Sequence, residues 1–285
     1  MHEADLHNHT TASDGDFAPT ELIEAYAKLG IRAVAITDHD TIAGVQEALD
    51  AGKRLGVDVL PGVEVTIRFA EDLFRGSLHL LLYFPAELLD DATFLEETNK
   101  VLALGRGDAL VRARLKELNK WFGPQGIEPR LPRDLTAEDL YSQTSQVSRR
   151  HFAVSLEKLG ISSPEDRTRI IGNDSPAYIP SGMDLTDLPP LLAKYPFVCV
   201  LAHPAAGSFP GKSHYKEVLP PLETVIEILP RFIAIGLHGL EVEYPAHTPE
   251  LARRTDAVRQ EFGLPLATGG SDCHDQQQRP PGTNG

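Results

Sequence analysis

The 285 residues carry a formal net charge of -14, with 41% hydrophobic and 24% charged side chains, enough chain for one barrel-sized domain with an insertion. The acidic balance disfavours a broad basic surface for gripping long nucleic acid, while a small anionic substrate stays open because bound divalent cations invert the field of an acidic pocket. No apolar run is long enough to span a bilayer, no charged leader precedes an apolar stretch, and Cys199 and Cys273 give neither a disulfide framework nor a thiolate zinc pattern. A cytoplasmic protein is the expectation.

In chain order, short apolar runs at residues 4–6, 33–37, 57–61, 78–83, 197–202, 239–243 and 265–268 read as strands. Between the first two, a helix is expected from Pro19 to Gly30, with Pro near its start and Gly after its end; a second spans 42–55 and closes on Gly56. Strand, helix, strand in this rhythm indicates parallel pairing and an α/β fold. The rhythm breaks over 85–190. Helical periodicity runs from 91 to 122 through Leu102, Leu110, Leu115 and Leu118, and further helices are expected at 137–141 and 148–159. The division expected is therefore a barrel of residues 1–84 and 191–275, a helical insertion or lid over 85–190, and a loop or tail over 276–285.

Polar residues concentrate where strands end. His7 and His9 follow strand one, Asp38 and His39 strand two, and Glu64 strand three. His79 lies on strand four, His203 follows strand five, Glu243 ends strand six, and Asp272 and His274 follow strand seven. In a parallel barrel these ends converge on one face, where active sites are built. His7 and His9, two apart in an extended run, point the same way and can reach one ion. Imidazole and carboxylate donors without thiolates suit Zn²⁺, Mn²⁺ or Fe²⁺. His7, His9, Asp14, His39, Glu64, His79, His203, Asp272 and His274 are too many for one catalytic ion, so two or three divalent metal ions are expected. Such ions acidify a water and hold a phosphoryl group for in-line attack. No protein nucleophile is required, and the sequence has no nucleophile elbow, phosphate-cradling loop or dinucleotide-binding glycine pattern.

The segments Asp5-Leu6-His7-Asn8-His9, Ile36-Thr37-Asp38-His39-Asp40, Pro61-Gly62-Val63-Glu64, Leu201-Ala202-His203-Pro204 and Gly270-Ser271-Asp272-Cys273-His274 resemble the successive motifs of the PHP (polymerase and histidinol phosphatase) superfamily. The resemblance implies a distorted seven-stranded βα (TIM-like) barrel with a phosphoesterase site of two or three metals. It implies that His7, His9, Glu64 and Asp272 hold a first ion. Glu64 would bridge to a second, completed by His79 and His203, while Asp14, His39 and His274 hold a third. Asp5, Asp38 and Asp40 would orient imidazoles.

The run Ser148-Arg149-Arg150-His151-Phe152-Ala153 and the later Pro176-Ala177-Tyr178-Ile179-Pro180 are similar to a subgroup that hydrolyses nucleoside 3′,5′-bisphosphates and trims short RNA from the 5′ end. There the first segment reads Gly-Arg-Pro-His-x-Ala, so Arg149 and His151 match while Ser148 and Arg150 depart. Arg149 suits a bidentate phosphate contact and His151 a charge-assisted contact or proton delivery. His2, His214, His238 and His247 are expected as surface or packing residues, Lys212 as a solvated loop lysine, and Glu243 and Tyr244 as pocket wall or packing. The function expected is hydrolysis of a phosphate ester by a metal-bound hydroxide. The substrate expected is the 3′-phosphate of a nucleoside 3′,5′-bisphosphate or the 5′ end of a short oligonucleotide, with no membrane and no obligate protein partner. The alternatives are a histidinol-phosphate-type phosphomonoesterase and a catalytically inactive metal-binding module.

Overall fold

The structure is a computed structural model and describes residues 4–144, 147–211, 218–277 and 279–282. His2, Lys212 and His214 lie outside the described residues. The chain divides into two compact units: residues 1–68, 77–105 and 182–285 form the first, and 69–76 with 106–181 the second.

One seven-stranded sheet runs in sequence order. Strands β1 (Ala4–Asp5), β2 (Ala33–Ile36) and β3 (Asp58–Ala70) pair in parallel. So do β5 (Val198–Leu201), β6 (Gly239–Glu243) and β7 (Leu266–Gly269). The peptide N–H of Leu6 donates to Gly269 O at 3.1 Å, and Asn8 bridges to Cys273, so the last strand returns to the first and the sheet nearly closes into a barrel.

The expectation of uniformly parallel strands is corrected at β4 (Arg75–Tyr83), which runs antiparallel to β5. A tight turn in which Glu71 N–H donates to Phe74 O joins β3 to β4 with no helical crossover. The third strand is also longer than the 57–61 run. Val63, Val65 and Ile67 alternate with Glu64 and Thr66, and all five are buried, so Glu64 sits within a strand covered on both faces.

Helices α1 (Pro19–Leu29) and α2 (Val45–Leu55) end on Gly30 and Gly56 at φ 74° and 70°, the left-handed cap that glycine adopts without a Cβ penalty. They bury Leu22, Ile23 and Tyr26, and Val45, Ala48 and Ala51. The helix expected over 91–122 is two: α3 (Ala92–Leu102), capped by the Asp91 carboxylate, and α4 (Asp108–Phe122). A single 3-10 turn separates them, and Gly107 at φ 104° ends it in a conformation closed to side chains. Phe94 of α3 packs on Phe84, Tyr195 and Phe197, all of the first unit.

That second unit has its own core of Leu115, Leu118, Phe122, Leu140, Phe152 and Leu156, contributed by α4, α5 (Ala137–Tyr141) and α6 (Arg149–Lys158). The strand-and-helix reading missed α7 (Pro164–Ile171), a polar helix started by Ser163 and Pro164, and α8 (Pro189–Lys194). In the first unit α9 (Leu222–Ala234) and α10 (Pro249–Glu261) complete the described helices. The stretch after His274 is anchored: His274 N–H donates to Arg279 O at 3.2 Å and Gly282 N–H to Asp5 Oδ2 at 3.2 Å. No helix among the described residues is long and apolar enough to cross a membrane.

Candidate metal centre

The side chains at the strand ends meet around Glu64, which is buried on β3. Its Oε1 stands 3.2 Å from His7 Nε2, 3.0 Å from His79 Nδ1 and 3.2 Å from His203 Nε2. Its Oε2 stands 3.2 Å from His9 Nε2 and 2.9 Å from His39 Nδ1. Each carboxylate oxygen therefore faces its own set of imidazoles. Asp272 Oδ1 lies 3.1 Å from His9 Nε2 and 3.5 Å from His7 Nε2, and Asp14 Oδ1 lies 3.3 Å from His274 Nε2.

Among the described residues, three overlapping groups have donor atoms close enough for an ion: His7, His9, Glu64 and Asp272; His9, Asp14, His39 and His274; and His39, Glu64 and His79. His203 stands at the edge of this set, reached through Glu64. His9, His39 and Glu64 each belong to two groups.

The surroundings fit cations. His9 Nδ1, Asp14 Oδ1, Glu64 Oε2, His79 Nδ1 and His203 Nδ1 are buried and make no aligned hydrogen bond, a cost that metal ligation removes. His274 donates Nδ1–H to the Asp272 carbonyl at 2.8 Å, leaving Nε2 facing inward. Gly270 lets the backbones approach: a Cβ there would lie 2.3 Å from the His7 Cβ. Among the described residues, the non-glycine residues at positive φ are Asp40, His203 and Asp272, at 49°, 33° and 50°, strain concentrated at the centre.

Charge follows from the same geometry. Burial works against ionisation of Glu64, but His79, His39 and His7 outweigh it and hold the carboxyl well below its usual range. Asp272 is held low against burial by Arg279, His7 and His274, and Asp14 by His39 and His274. Burial also opposes charge on His7, yet Glu241, Glu64 and Asp272 raise it well above its ordinary value. His79 and His274 are raised too, against burial, by Glu64 and by Asp272 respectively. His9 goes the other way, lowered by burial and by the neighbouring imidazoles of His274 and His39. The carboxylates stay ionised, and divalent ions can replace the protons that the raised imidazoles otherwise hold.

The sequence profile of the PHP domain matches residues 5–127. A candidate metal-dependent phosphoesterase of known structure from Bifidobacterium adolescentis shares 30% identity with a TM-score of 0.70, over 99% of this chain and 92% of that one. The chain belongs to the PHP family. Among its curated relatives are a 5′-3′ exoribonuclease of Haemophilus influenzae, 28% identical over 95% of this chain and 89% of the relative. Another is a phosphoribosyl 1,2-cyclic phosphate 1,2-diphosphodiesterase of Eggerthella lenta, 29% identical over 97% and 96%. The protein is a metal-dependent phosphoesterase of this family, a hydrolase of phosphate esters.

Around the PHP centre the three expected supporting carboxylates are each held by several donors. Asp38 accepts from Thr10 N and Oγ1 and from Ser13 Oγ at 2.6–2.7 Å. Asp5 accepts from Ser271 N, Asn8 Nδ2 and Tyr26 OH, and Asp40 from Thr66 N and Oγ1. These three brace the loops that carry the imidazoles. Glu241 was missed: its Oε1 is 3.0 Å from His7 Nδ1. Arg279 falls in the stretch expected as a tail, yet it donates to Asp272 Oδ2 at 2.6 Å, where Tyr244 OH also donates at 2.8 Å. Glu243 is exposed.

His238 and His247 are packing residues. Cys199 N–H donates to His238 Nδ1, and buried His247 accepts from Ala205 N–H at 3.2 Å and donates to Val242 O at 2.8 Å. Burial pushes the His247 pKa down to about 4. A folded value below the unfolded one means stability that is complete above pH 6.5 and lost as pH falls towards 4, about 3 kcal/mol in all. His247→Gln should lower the melting temperature at pH 7.5 but flatten its decline down to pH 4.5; an unchanged acid slope in thermal melts would exclude this.

In the second unit, Arg149 donates Nη2–H to Asn173 Oδ1 at 2.9 Å and lies 4.8 Å over the Tyr178 ring, while its Nη1 is buried without a partner. Arg114 and Arg149 line one cavity with Tyr178. Burial brings the Arg114 pKa down to about 10, and Arg149 and Arg106 add to this against Tyr178. His151 Nδ1 accepts from Ser148 N–H at 2.9 Å, so it closes the first turn of α6.

Proposed function

We propose that the protein hydrolyses the 3′-phosphate ester of a nucleoside 3′,5′-bisphosphate, or the equivalent ester at the 5′ end of a short oligonucleotide. The two substrates share a pattern: a scissile phosphorus on the 3′ oxygen and a second phosphate on the 5′ oxygen. The hub geometry of Glu64, with imidazoles on both oxygens, carries the reading.

In it, His7, His9, Glu64 and Asp272 hold one divalent ion; Glu64, His79 and His203 a second; Asp14, His39 and His274 a third. Bound there, Mn²⁺, Zn²⁺ or Fe²⁺ supplies an acidified water and neutralises the phosphoryl oxygens. Glu64 would serve two of these ions, since imidazoles stand beside each of its oxygens. Asp272 offers Oδ1 alone, because Tyr244 and Arg279 occupy Oδ2. His274 and His7 present single ring nitrogens, their others engaged by the Asp272 carbonyl and Glu241. Arg149 contacts a phosphate, which its orphaned Nη1 and the absence of any acidic residue lining the cavity it shares with Arg114 support. His151 keeps a secondary part, since its Nδ1 serves the helix start.

The test is phosphate or nucleotide release, with Mn²⁺ added, from adenosine 3′,5′-bisphosphate, adenosine monophosphates, a 5′-phosphorylated short RNA, histidinol phosphate and a ribose 1,2-cyclic phosphate ester. Turnover of the bisphosphate or RNA with little from the rest is expected. Preference for histidinol phosphate, or for the cyclic ester that the Eggerthella lenta relative's name makes the main rival, would overturn the substrate assignment. Replacing Arg149 by Met should cost ~10–100-fold in kcat/KM on the preferred substrate, the worth of a charged hydrogen bond. Equal kcat/KM in the variant would remove Arg149 from the site.

A further inference from the structure

The Glu241 carboxylate lies on β6 between Leu240 and Val242 and is fully buried. The chemistry proposed above assigns it no ion. Its two oxygens are spent on two separate ligand candidates: Oε1 stands 3.0 Å from His7 Nδ1, and Oε2 accepts the backbone N–H of His203 at 2.7 Å. His203 holds φ at 33°, a region that costs a non-glycine residue energy unless something holds it there. A register shift against β7 falls between Glu241 and Glu243. The bulge breaks the alternation that would send both acids to one face, so Glu241 is buried and Glu243 exposed.

We propose that Glu241 is a positioning residue that sets two imidazoles of the centre at once, fixing the His7 tautomer through one oxygen and the His203 backbone through the other. The inference rests on the metal-centre reading. A carboxylate oxygen 3.0 Å from His7 Nδ1 requires a proton on that nitrogen, because two acceptors at this distance repel. The Nε2 lone pair then faces Glu64 Oε1 and Asp272 Oδ1, at 3.2 and 3.5 Å, where an ion would sit. Moved to Nε2, the proton would occupy the ligand position. Through Oε2 the same carboxylate holds His203 at the other side of Glu64. Because both oxygens accept, an amide cannot replace the acid: its NH₂ must face either His7 Nδ1–H or His203 N–H, both donors.

The experiment compares wild type with Glu241→Gln, Glu241→Asp and, as a control on the same strand, Glu243→Gln. Mn²⁺ and Zn²⁺ titration calorimetry reads affinity and stoichiometry, and ¹⁵N NMR reads the His7 tautomer in the Zn²⁺-loaded protein. Glu241→Gln should bind ~10–100-fold more weakly or lose an equivalent of metal, while Glu243→Gln matches wild type. Wild-type His7 should carry its proton on Nδ1. Glu241→Asp keeps the charge at shorter reach and should weaken binding less than Gln while retaining the tautomer. If the Gln variant does not fold, unchanged affinity in the Asp variant overturns the proposal. Wild-type affinity and stoichiometry in a folded Gln variant, or His7 protonated on Nε2, overturns it and leaves the metal centre standing. A wild-type protein that binds no ion removes both.

Discussion

Replacing Glu64 by Gln is expected to lower phosphate-ester hydrolysis by ~10³-fold or more, with the far-ultraviolet circular dichroism spectrum unchanged. The amide fills the volume of the carboxylate, so no cavity opens. What changes is the number of anionic donors. Oε1 serves the side of His7, His79 and His203, and Oε2 the side of His9 and His39. Gln has one acceptor oxygen, so its NH₂ must turn to one of those sides, where it offers no lone pair to a cation. Metal content measured by inductively coupled plasma mass spectrometry should fall by about one equivalent as activity falls. Full turnover with full metal content would show that Glu64 is not the hub.

The hub was legible because strand chemistry is local. A His-x-His after a short apolar run needs only the two-residue alternation of an extended chain to aim both rings one way, and His7 and His9 do converge, with ring centroids 5.2 Å apart. The C-terminal ends of β1, β2, β5 and β7 then bring distant motifs together as a barrel requires. Glu241 escaped because the reading fixed on the end of the strand, at Glu243. An acid flanked by Leu240 and Val242 inside a short strand was itself the signal of a buried carboxylate, but the bulge that separates the two acids is set by pairing with β7. Arg279 escaped for another reason: Gln276-Gln277-Gln278-Arg279-Pro280-Pro281 has no packing period, and the contacts that hold Arg279, its carbonyl to His274 N–H and its guanidinium to Asp272, are made across the fold rather than within a local pattern.

The second unit shows where periodicity stops being informative. Apolar spacing continues through residues 91–122, yet Gly105 and Gly107 divide the stretch, and α3 joins the aromatic cluster of Phe84 and Phe197. Its candidate substrate residues depend on turns. Arg149 meets Tyr178 and Asn173 only because α6, α7 and the loop after them fold on one another, and no local pattern announces that.

Chelating the metals should lower the melting temperature, and the gap between loaded and stripped protein should widen as pH rises from 6 to 9. In the stripped protein His7, His79 and His274 have raised values. A raised folded pKa contributes stability that is fully present below the unfolded value near 6.5 and is lost as pH rises through the folded value. His9 is lowered and works the other way, but it is outnumbered. His247 is lowered in both forms and cancels in the difference. Glu64, Asp14 and Asp272 are held low and stay ionised throughout this window, adding no slope. In the loaded protein the ions replace those protons, so binding releases protons and tightens as pH rises. At pH 6 protonated imidazoles partly offset the buried carboxylates of the stripped centre. As pH rises through their folded values they no longer do, and mutual repulsion between the buried Glu64 and Asp272 carboxylates is relieved only by cations. Differential scanning calorimetry with saturating Mn²⁺ and with chelator, at pH 6, 7.5 and 9, measures the gap directly. A gap that stays constant or narrows with pH would mean that protons and metal ions do not compete for these imidazoles, and the cluster around Glu64 would then have to be a proton-balanced core.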